Sequence, residues 1–224
     1  LAAMGAEPVA YTMNLALSSR QNIEFIEEFT CGLKKDQELF GVYLVGGDTT
    51  RSMAEGFPLT ISMTLFGVCQ KGAAWTRSGA CDGDVCLVTG SIGEAYLGLN
   101  LRLGNQSCPD KDLERRLIGR HRCPEPRAAL CDIGNIYSVH AAIDISDGLL
   151  ADMGHICDQS GVGIDLHETD LPISADVKKY CENTKIPIED LVSGGDDYEL
   201  ILSVPENDVP SLKQDCDKVG IKLS

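Results

Sequence analysis

Apolar and polar positions recur along this chain with periods that change in a definite order. Val9–Leu17 is apolar with small polar interruptions and predicts a strand. Ile23, Ile26, Phe29 and Leu33 then recur three and four residues apart, with Glu24, Glu27 and Glu28 on the other faces. That spacing predicts an amphipathic helix, capped at its start by Ser18 or Ser19 and stopped by Gly41. Val42–Val45 predicts a second strand that leads into a Gly-Gly-Asp turn, and Met53–Pro58 a loop. Leu59, Ile61, Met63 and Leu65 alternate with Thr60, Ser62 and Thr64, the period of a half-buried, antiparallel strand.

Gln70–Asp84 is looser, with Gly72, Gly79, Gly83 and the lone Trp75, and suggests a boundary between domains at 1–70 and 71–224. Beyond it, Val85–Thr89 predicts a strand, followed by Gly90-Ser91-Ile92-Gly93-Glu94 and an apolar helix to about Leu103. Asp110–Arg122 predicts a charged helix whose Arg115, Arg116, Arg120 and Arg122 form a solvated face, ended by Pro124 and Pro126. Arg127–Ile136 predicts another helix. Ala141–Ile145 predicts a strand, and Leu149, Leu150, Met153, Ile156 and Cys157 the inner face of a helix closed by Gly161. Ile164–Leu166 and Glu199–Val204 predict strands, Ser174–Glu182 and Asn207–Val219 helices, and Gly220–Leu223 the start of a strand. The fold class expected is α+β, with a mixed N-terminal domain and a C-terminal α/β domain.

Composition narrows the function. A length of 224 residues suits one large or two modest domains, and 43% hydrophobic with 24% charged residues is the balance of an ordinary globular protein. The net charge of −15 argues against a general nucleic-acid or anionic-membrane surface. No apolar run approaches the ~20 residues that span a bilayer, and no signal segment opens the chain, so the expectation is a cytoplasmic location. The 10 cysteines include no C-x-x-C pair, which argues against a zinc site. A disulfide framework is the rival, but a chain of this length does not need one, so reduced thiols are expected. The chain does not open with Met, and Leu1–Pro8 reads as the end of a helix already under way, so the expectation is a fragment.

Three stretches carry candidate chemistry. In Leu44–Arg51, paired glycines let backbone amides approach a phosphate, and Asp48 offers a hard oxygen for Mg²⁺. The same residues also suit a tight turn with Asp48 bonded to its own backbone. In Asp144-Ile145-Ser146-Asp147-Gly148, two carboxylates three apart stand where a strand hands over to a helix, and both are able to face one cation. Capping by Ser146 or Asp147 explains one of these residues but not Asp144 as well. Ser193-Gly194-Gly195-Asp196-Asp197-Tyr198-Glu199-Leu200 repeats the theme of glycines followed by acid, or marks another turn. Arg77 stands at the boundary, either solvated or clamping phosphate in a bidentate fork. Gly90–Glu94 has the context of a phosphate loop but no Walker lysine and no full G-x-G-x-x-G, so it reads as structural. His121, His140, His155 and His167 share no ligand spacing, and His155 reads as structural.

Taken in order, these three motifs, with Leu1–Pro8, Thr76–Ala80 and Arg120–Arg127, resemble the bacterial thiamine-monophosphate kinases, a family in the superfamily of aminoimidazole ribonucleotide synthetase. The synthetases themselves usually carry Glu where Asp48 stands and lack the Ser193–Leu200 stretch. The resemblance implies ATP-dependent phosphorylation of thiamine monophosphate to thiamine diphosphate with Mg²⁺. It implies a homodimer whose N-terminal strands form a barrel, and an ATP site in the N-terminal domain. By motif, Asp48, Asp144 and Asp147 hold metal, and Gly47, Asp48, Arg77 and Ser146 contact ATP. Asp196 contacts the thiamine substrate, where the family often has Glu. No covalent nucleophile is expected, because in-line phosphoryl transfer needs positioning and charge neutralisation. Two other readings stand beside it: another ATP-using synthetase of the superfamily, and a non-catalytic nucleotide-binding module. The family's upstream acidic segments and C-terminal segment are absent, so the 224-residue chain alone is expected to be inactive or nearly so.

Overall fold

The first strand, β1, runs over Glu7–Leu17 and organises a three-stranded sheet. In this computed structural model, which describes residues 1–52, 54 and 56–224, β1 is central, with β2 (Tyr43–Arg51) parallel on one side and β3 (Thr60–Val68) antiparallel on the other. Of the predicted Met53–Pro58 loop, Met53 and Glu55 lie outside the described residues. Helix α1 (Ile23–Phe40) joins β1 to β2. Its cap is Asn22, whose Oδ1 accepts from the Phe25 amide at 3.0 Å, and not Ser18 or Ser19. Ser18 is buried and donates to Gln21 Oε1 at 2.7 Å, so its hydroxyl is already engaged. Phe25, Ile26, Phe29 and Leu33 are half-buried, as the helical spacing requires, and Gln37 donates to the hydroxyl of buried Tyr11 at 2.8 Å.

The Gly-Gly-Asp stretch is not a turn. β2 continues straight through Gly46, Gly47 and Asp48 to Arg51. Tyr11 pairs with Leu44 and the next residue, Thr12, with Gly46, so Val45 is the extra residue of a bulge. Gly47 lies opposite Met13 with φ of 151°, and a Cβ there would collide with the Met13 carbonyl oxygen. The glycine is needed for close strand approach.

Two compact units make up the chain: Leu1 with Ala6–Lys71, and Ala2–Gly5 with Gly72–Ser224. The second holds strands β4 (Asp84–Val88), β5 (Ala141–Asp144) and β6 (Leu200–Pro205) in the order β4-β6-β5. Both outer strands are antiparallel to β6 and therefore parallel to each other. Around them lie α2 (Glu94–Arg102), α3 (Lys111–Arg122), α4 (Leu130–Gly134), α5 (Leu149–Ser160), α6 (Ala175–Thr184), α7 (Ile188–Ser193) and α8 (Val209–Lys218). Ile201 faces one apolar cluster, with Val88, Ile143, Leu97, Leu117, Met153 and Val177. Leu200, Leu202 and Val204 face the other, with Trp75, Leu130 and Leu212. Burial on both faces explains why β6 reads as an apolar run interrupted only by Ser203. The Trp75 ring is seated on glycines, because a Cβ on Gly5 or Gly134 would strike it.

Several sequence expectations fail in this unit. Only α4 forms within Arg127–Ile136, since the Arg127 side chain is drawn to Glu199 and the preceding residues include Pro124 and Pro126. Ile164–Leu166 has no strand to pair with among the described residues and is irregular. The last residues make one isolated bridge, Leu223 with Thr89. Helix α7 was not foreseen, because six residues are too few to display a helical period.

Candidate functional site

The second and third motifs come together at the C-terminal end of β5. Asp144 is the last residue of that strand. The Ile145 amide donates to the Glu199 carbonyl at 2.8 Å, and Tyr198 donates back to the Ile145 carbonyl at 2.8 Å. The Asp196 amide donates to the Ser146 carbonyl at 3.0 Å. A Cβ at Gly195 would collide with the Ser146 carbonyl oxygen, and one at Gly148 would meet that of Ser193 at 2.7 Å. The glycines of both motifs therefore exist so that two backbones can pass in contact. Asp196 and Tyr198 pay for the crossing with left-handed backbones, φ of 70° and 50°.

The turn after β5 is held from within the following helix. Buried Asp152 accepts from the amides of Ser146 at 2.9 Å and Asp147 at 3.1 Å. Neither Ser146 nor Asp147 caps α5, whose N-cap is Gly148 with no side-chain bond. Among the described residues, the Asp144 and Asp147 carboxylates make no hydrogen bond or ion pair, and Asp147 is exposed. Two acceptor-only groups are thus held on a fixed turn with their oxygens free, a donor set suited to a hard cation.

Asp197 and Glu199 are employed differently. Asp197 accepts from the amides of Gly93 at 2.7 Å and Ala95 at 3.1 Å. It thereby fills the N-terminus of α2 that Gly90–Glu94 offers. Burial pushes its carboxyl up to about 6 from an ordinary 3.8, against the pull of those amides. The raised value favours the neutral form in the fold, a stabilisation complete below the unfolded value and lost as pH rises through about 6. The gap corresponds to roughly 3 kcal/mol. Asp197→Asn has no such titration. Relative to that variant, the parent is expected to lose roughly 3 kcal/mol between about pH 4 and pH 7, read by urea unfolding at each pH. A difference that stays flat across the range would contradict this account.

Glu199 is fully buried. Its oxygens meet Arg127 Nε at 2.7 Å, Arg127 Nη2 at 2.5 Å, the Thr89 hydroxyl at 2.6 Å, and Arg120. Burial works against the Arg127 charge, but Glu199 outweighs it and raises the guanidinium pKa. Arg116 bonds Glu94 at 2.7 Å and Asp176 at 2.6 Å. The solvated-face reading of α3 is therefore corrected for Arg116 and Arg120, which turn toward acids of other elements.

The remaining predicted residues are placed as follows. Asp48 lies on exposed β2 of the first unit, where its Oδ1 accepts from the Thr49 amide at 2.9 Å. Arg77 is exposed in the second unit; its carbonyl accepts from Ser160 Oγ at 3.3 Å, and its guanidinium has no partner among the described residues. The Asp196 carboxylate is half exposed, 3.9 Å from His121 Nδ1. Among the described residues, one group of three side chains comes within reach of a single ion, Cys81, Asp84 and His140, and none of the predicted ligands belongs to it.

Residues 1–69 match the family model for the N-terminal domain of AIR synthase related proteins, and residues 82–224 match that for the C-terminal domain. The chain belongs to the AIR synthase related family. Within that family it is similar to the thiamine-monophosphate kinase of Caulobacter vibrioides, at 35% identity over 227 residues. That match covers 100% of this chain and 62% of the relative, so the chain spans somewhat under two thirds of the relative's length. The solved structure of thiamine-monophosphate kinase from Stenotrophomonas maltophilia K279a superposes with a TM-score of 0.87 at 33% identity, covering 100% of this chain and 69% of that one. A second, described as AaThiL complexed with AMPPCP and TMP, gives 0.80 at 33% identity, covering 92% and 64%. The fold expected from the resemblance, mixed α/β with two domains, is the one found for this AIR synthase related chain. Sequence reading passed over Asp152, Asp197 and Glu199. One signal was present: Glu199 stands at the head of a largely apolar run, and a buried acid needs a partner of the kind Arg120–Arg127 supplies.

Proposed function

We propose that this chain acts as a thiamine-monophosphate kinase, which transfers the γ-phosphoryl of ATP to thiamine monophosphate with Mg²⁺ and yields thiamine diphosphate. The observation that carries this is the pair Asp144 and Asp147, held on a saturated turn with free carboxylates, in a chain similar to kinases of that name. Asp144 and Asp147 would hold Mg²⁺, and Asp48 of the N-terminal, ATP-handling domain would also be a metal ligand. Mg²⁺ supplies charge neutralisation for the oxygens of two anions that must approach each other. Gly47, Asp48, Arg77 and Ser146 contact ATP in this reading, and Asp196 the thiamine monophosphate. The acceptor phosphate is already ionised, so no strong general base is needed and transfer is direct and in line.

The same reading makes the protein a homodimer in the cytoplasm. β2 is exposed along its whole length, and Tyr43, Val45, Ile61, Met63 and Leu65 leave apolar surface on the first sheet. Surface of that kind marks an interface. Sedimentation at dimer mass, converted to monomer by Val45→Asp with Met63→Asp, is the expected result; a monomeric parent would remove this part.

The test of function uses the longest natural polypeptide that contains this chain. With ATP, Mg²⁺ and thiamine monophosphate, mass spectrometry should find thiamine diphosphate, with inversion at a chiral γ-phosphate. Retention would exclude direct transfer. ATP consumed without that product would point to a synthetase, and ATP bound without turnover to a binding module.

A further inference from the structure

At the opposite end of the second sheet, three elements bring chemically distinct ligands together. Asp84 opens β4, and His140 immediately precedes β5. Because these strands are parallel, both residues stand at the sheet end away from Asp144. Cys81 joins them through a turn: its amide donates to Asp84 Oδ2 at 2.9 Å, and the Asp84 amide donates to its carbonyl at 3.1 Å. Gly83, with φ of 88°, allows the turn. His140 Nδ1 lies 3.0 and 2.9 Å from the two Asp84 oxygens. The Cys81, Asp84 and His140 ligand atoms all lie within 4.8 Å of one another.

We propose that Cys81, Asp84 and His140 form a Zn²⁺ site separate from the candidate kinase centre, with one coordination position open to solvent. Thiolate, imidazole and carboxylate together select a borderline-soft cation over Mg²⁺, which prefers oxygen ligands throughout. Small side-chain rotations bring these atoms to bonds of about 2.0–2.3 Å. The ion takes the place of the proton shared by His140 and Asp84, and Cys81 releases its thiol proton to solvent.

The surroundings favour this assignment. The Ser203 hydroxyl donates to Asp84 Oδ2 at 2.7 Å and orients the carboxylate. The His140 amide is fixed to the Ser203 carbonyl at 2.9 Å, so β6 holds both ligand-bearing segments. Cys81 is exposed, which gives the ion a way in. Cys86 and Cys157 line a small cavity beside Cys81 and Asp84. They are not part of the site: among the described residues, the group whose ligand atoms lie within 4.8 Å of one another is Cys81, Asp84 and His140. The absence of C-x-x-C did not reveal such a site, because its third ligand lies 59 residues after Cys81 (140 − 81).

Cobalt(II) provides the test, since a cobalt–thiolate bond absorbs in the near ultraviolet. The metal-free chain, in excess Mg²⁺, should bind one Co²⁺ with a thiolate charge-transfer band that Zn²⁺ removes. Cys81→Ser should abolish the band, while Cys69→Ser, at an exposed cysteine of the first unit, should leave it intact. His140→Gln should weaken Zn²⁺ binding more than roughly 100-fold, beyond the range for a partner that only orients a ligand, and Ser203→Ala by about 10–100-fold. Cys81 is exposed, so its variant should fold as the parent does. A parent without the band, or a band that survives Cys81→Ser, would overturn the proposal.

Discussion

Replacing Glu199 by Ala is expected to destabilise the second unit by about 3–5 kcal/mol, the scale of breaking one partner out of a buried ion pair. The reason lies in what remains. Arg127 and Arg120 have side-chain exposures of 9% and 19%, so each would keep its charge with the main counter-charge gone. Thr89 would lose the acceptor for its buried hydroxyl. A loss of this size is a large part of the 5–15 kcal/mol that holds a typical domain together. It should lower Tm by roughly 6–20 °C. Urea unfolding of parent, Glu199→Ala, Arg127→Ala and the double variant measures the coupling. The double variant should cost clearly less than the sum, because the second change removes a charge already stranded. A single variant within about 1 kcal/mol of the parent would mean that the network contributes little.

Asp144→Asn should behave in the opposite way. Its carboxylate has no partner among the described residues. Removing a charge that makes no contact in the fold should leave stability within about 0.5 kcal/mol. Phosphoryl transfer should nevertheless fall by about 10²-fold or more, the scale of removing one preorganised electrostatic group. Turnover and urea unfolding of the same longest natural polypeptide supply both readings. Lost turnover with an intact fold is the signature of a residue kept for chemistry. Undiminished turnover, or a large loss of stability, would take Asp144 out of its proposed role.

Much of the fold was legible because its signals are local. The three- and four-residue spacing through α1 and the largely apolar run of β6 report which faces are covered, whereas the alternation in β3 marks a strand correctly but not a half-buried one, since its side chains are exposed on both faces. The misreadings also have local causes. Gly46 and Gly47 signal a turn in most chains, but here they accommodate a bulge and a close strand approach, which depends on Met13 more than thirty residues earlier. Ser18 has the chemistry of a cap, but Gln21 claims its hydroxyl and Asn22 does the capping.

By itself the sequence determined where the carboxylates and glycines stand along the chain, and that two strand-to-helix turns bear acids. Those are properties of short segments, set by side-chain period and backbone freedom. Only the tertiary structure decided which carboxylates are free. Asp152, Asp197 and Glu199 are consumed by amides and guanidinium groups, whereas Asp144 and Asp147 are left with open oxygens. The decisive partners lie far off in sequence: Asp197 reaches Gly93 across 104 residues, and Glu199 reaches Thr89 across 110. An acid's role depends on whether a donor meets it in a place water does not reach, and folding alone brings the two together.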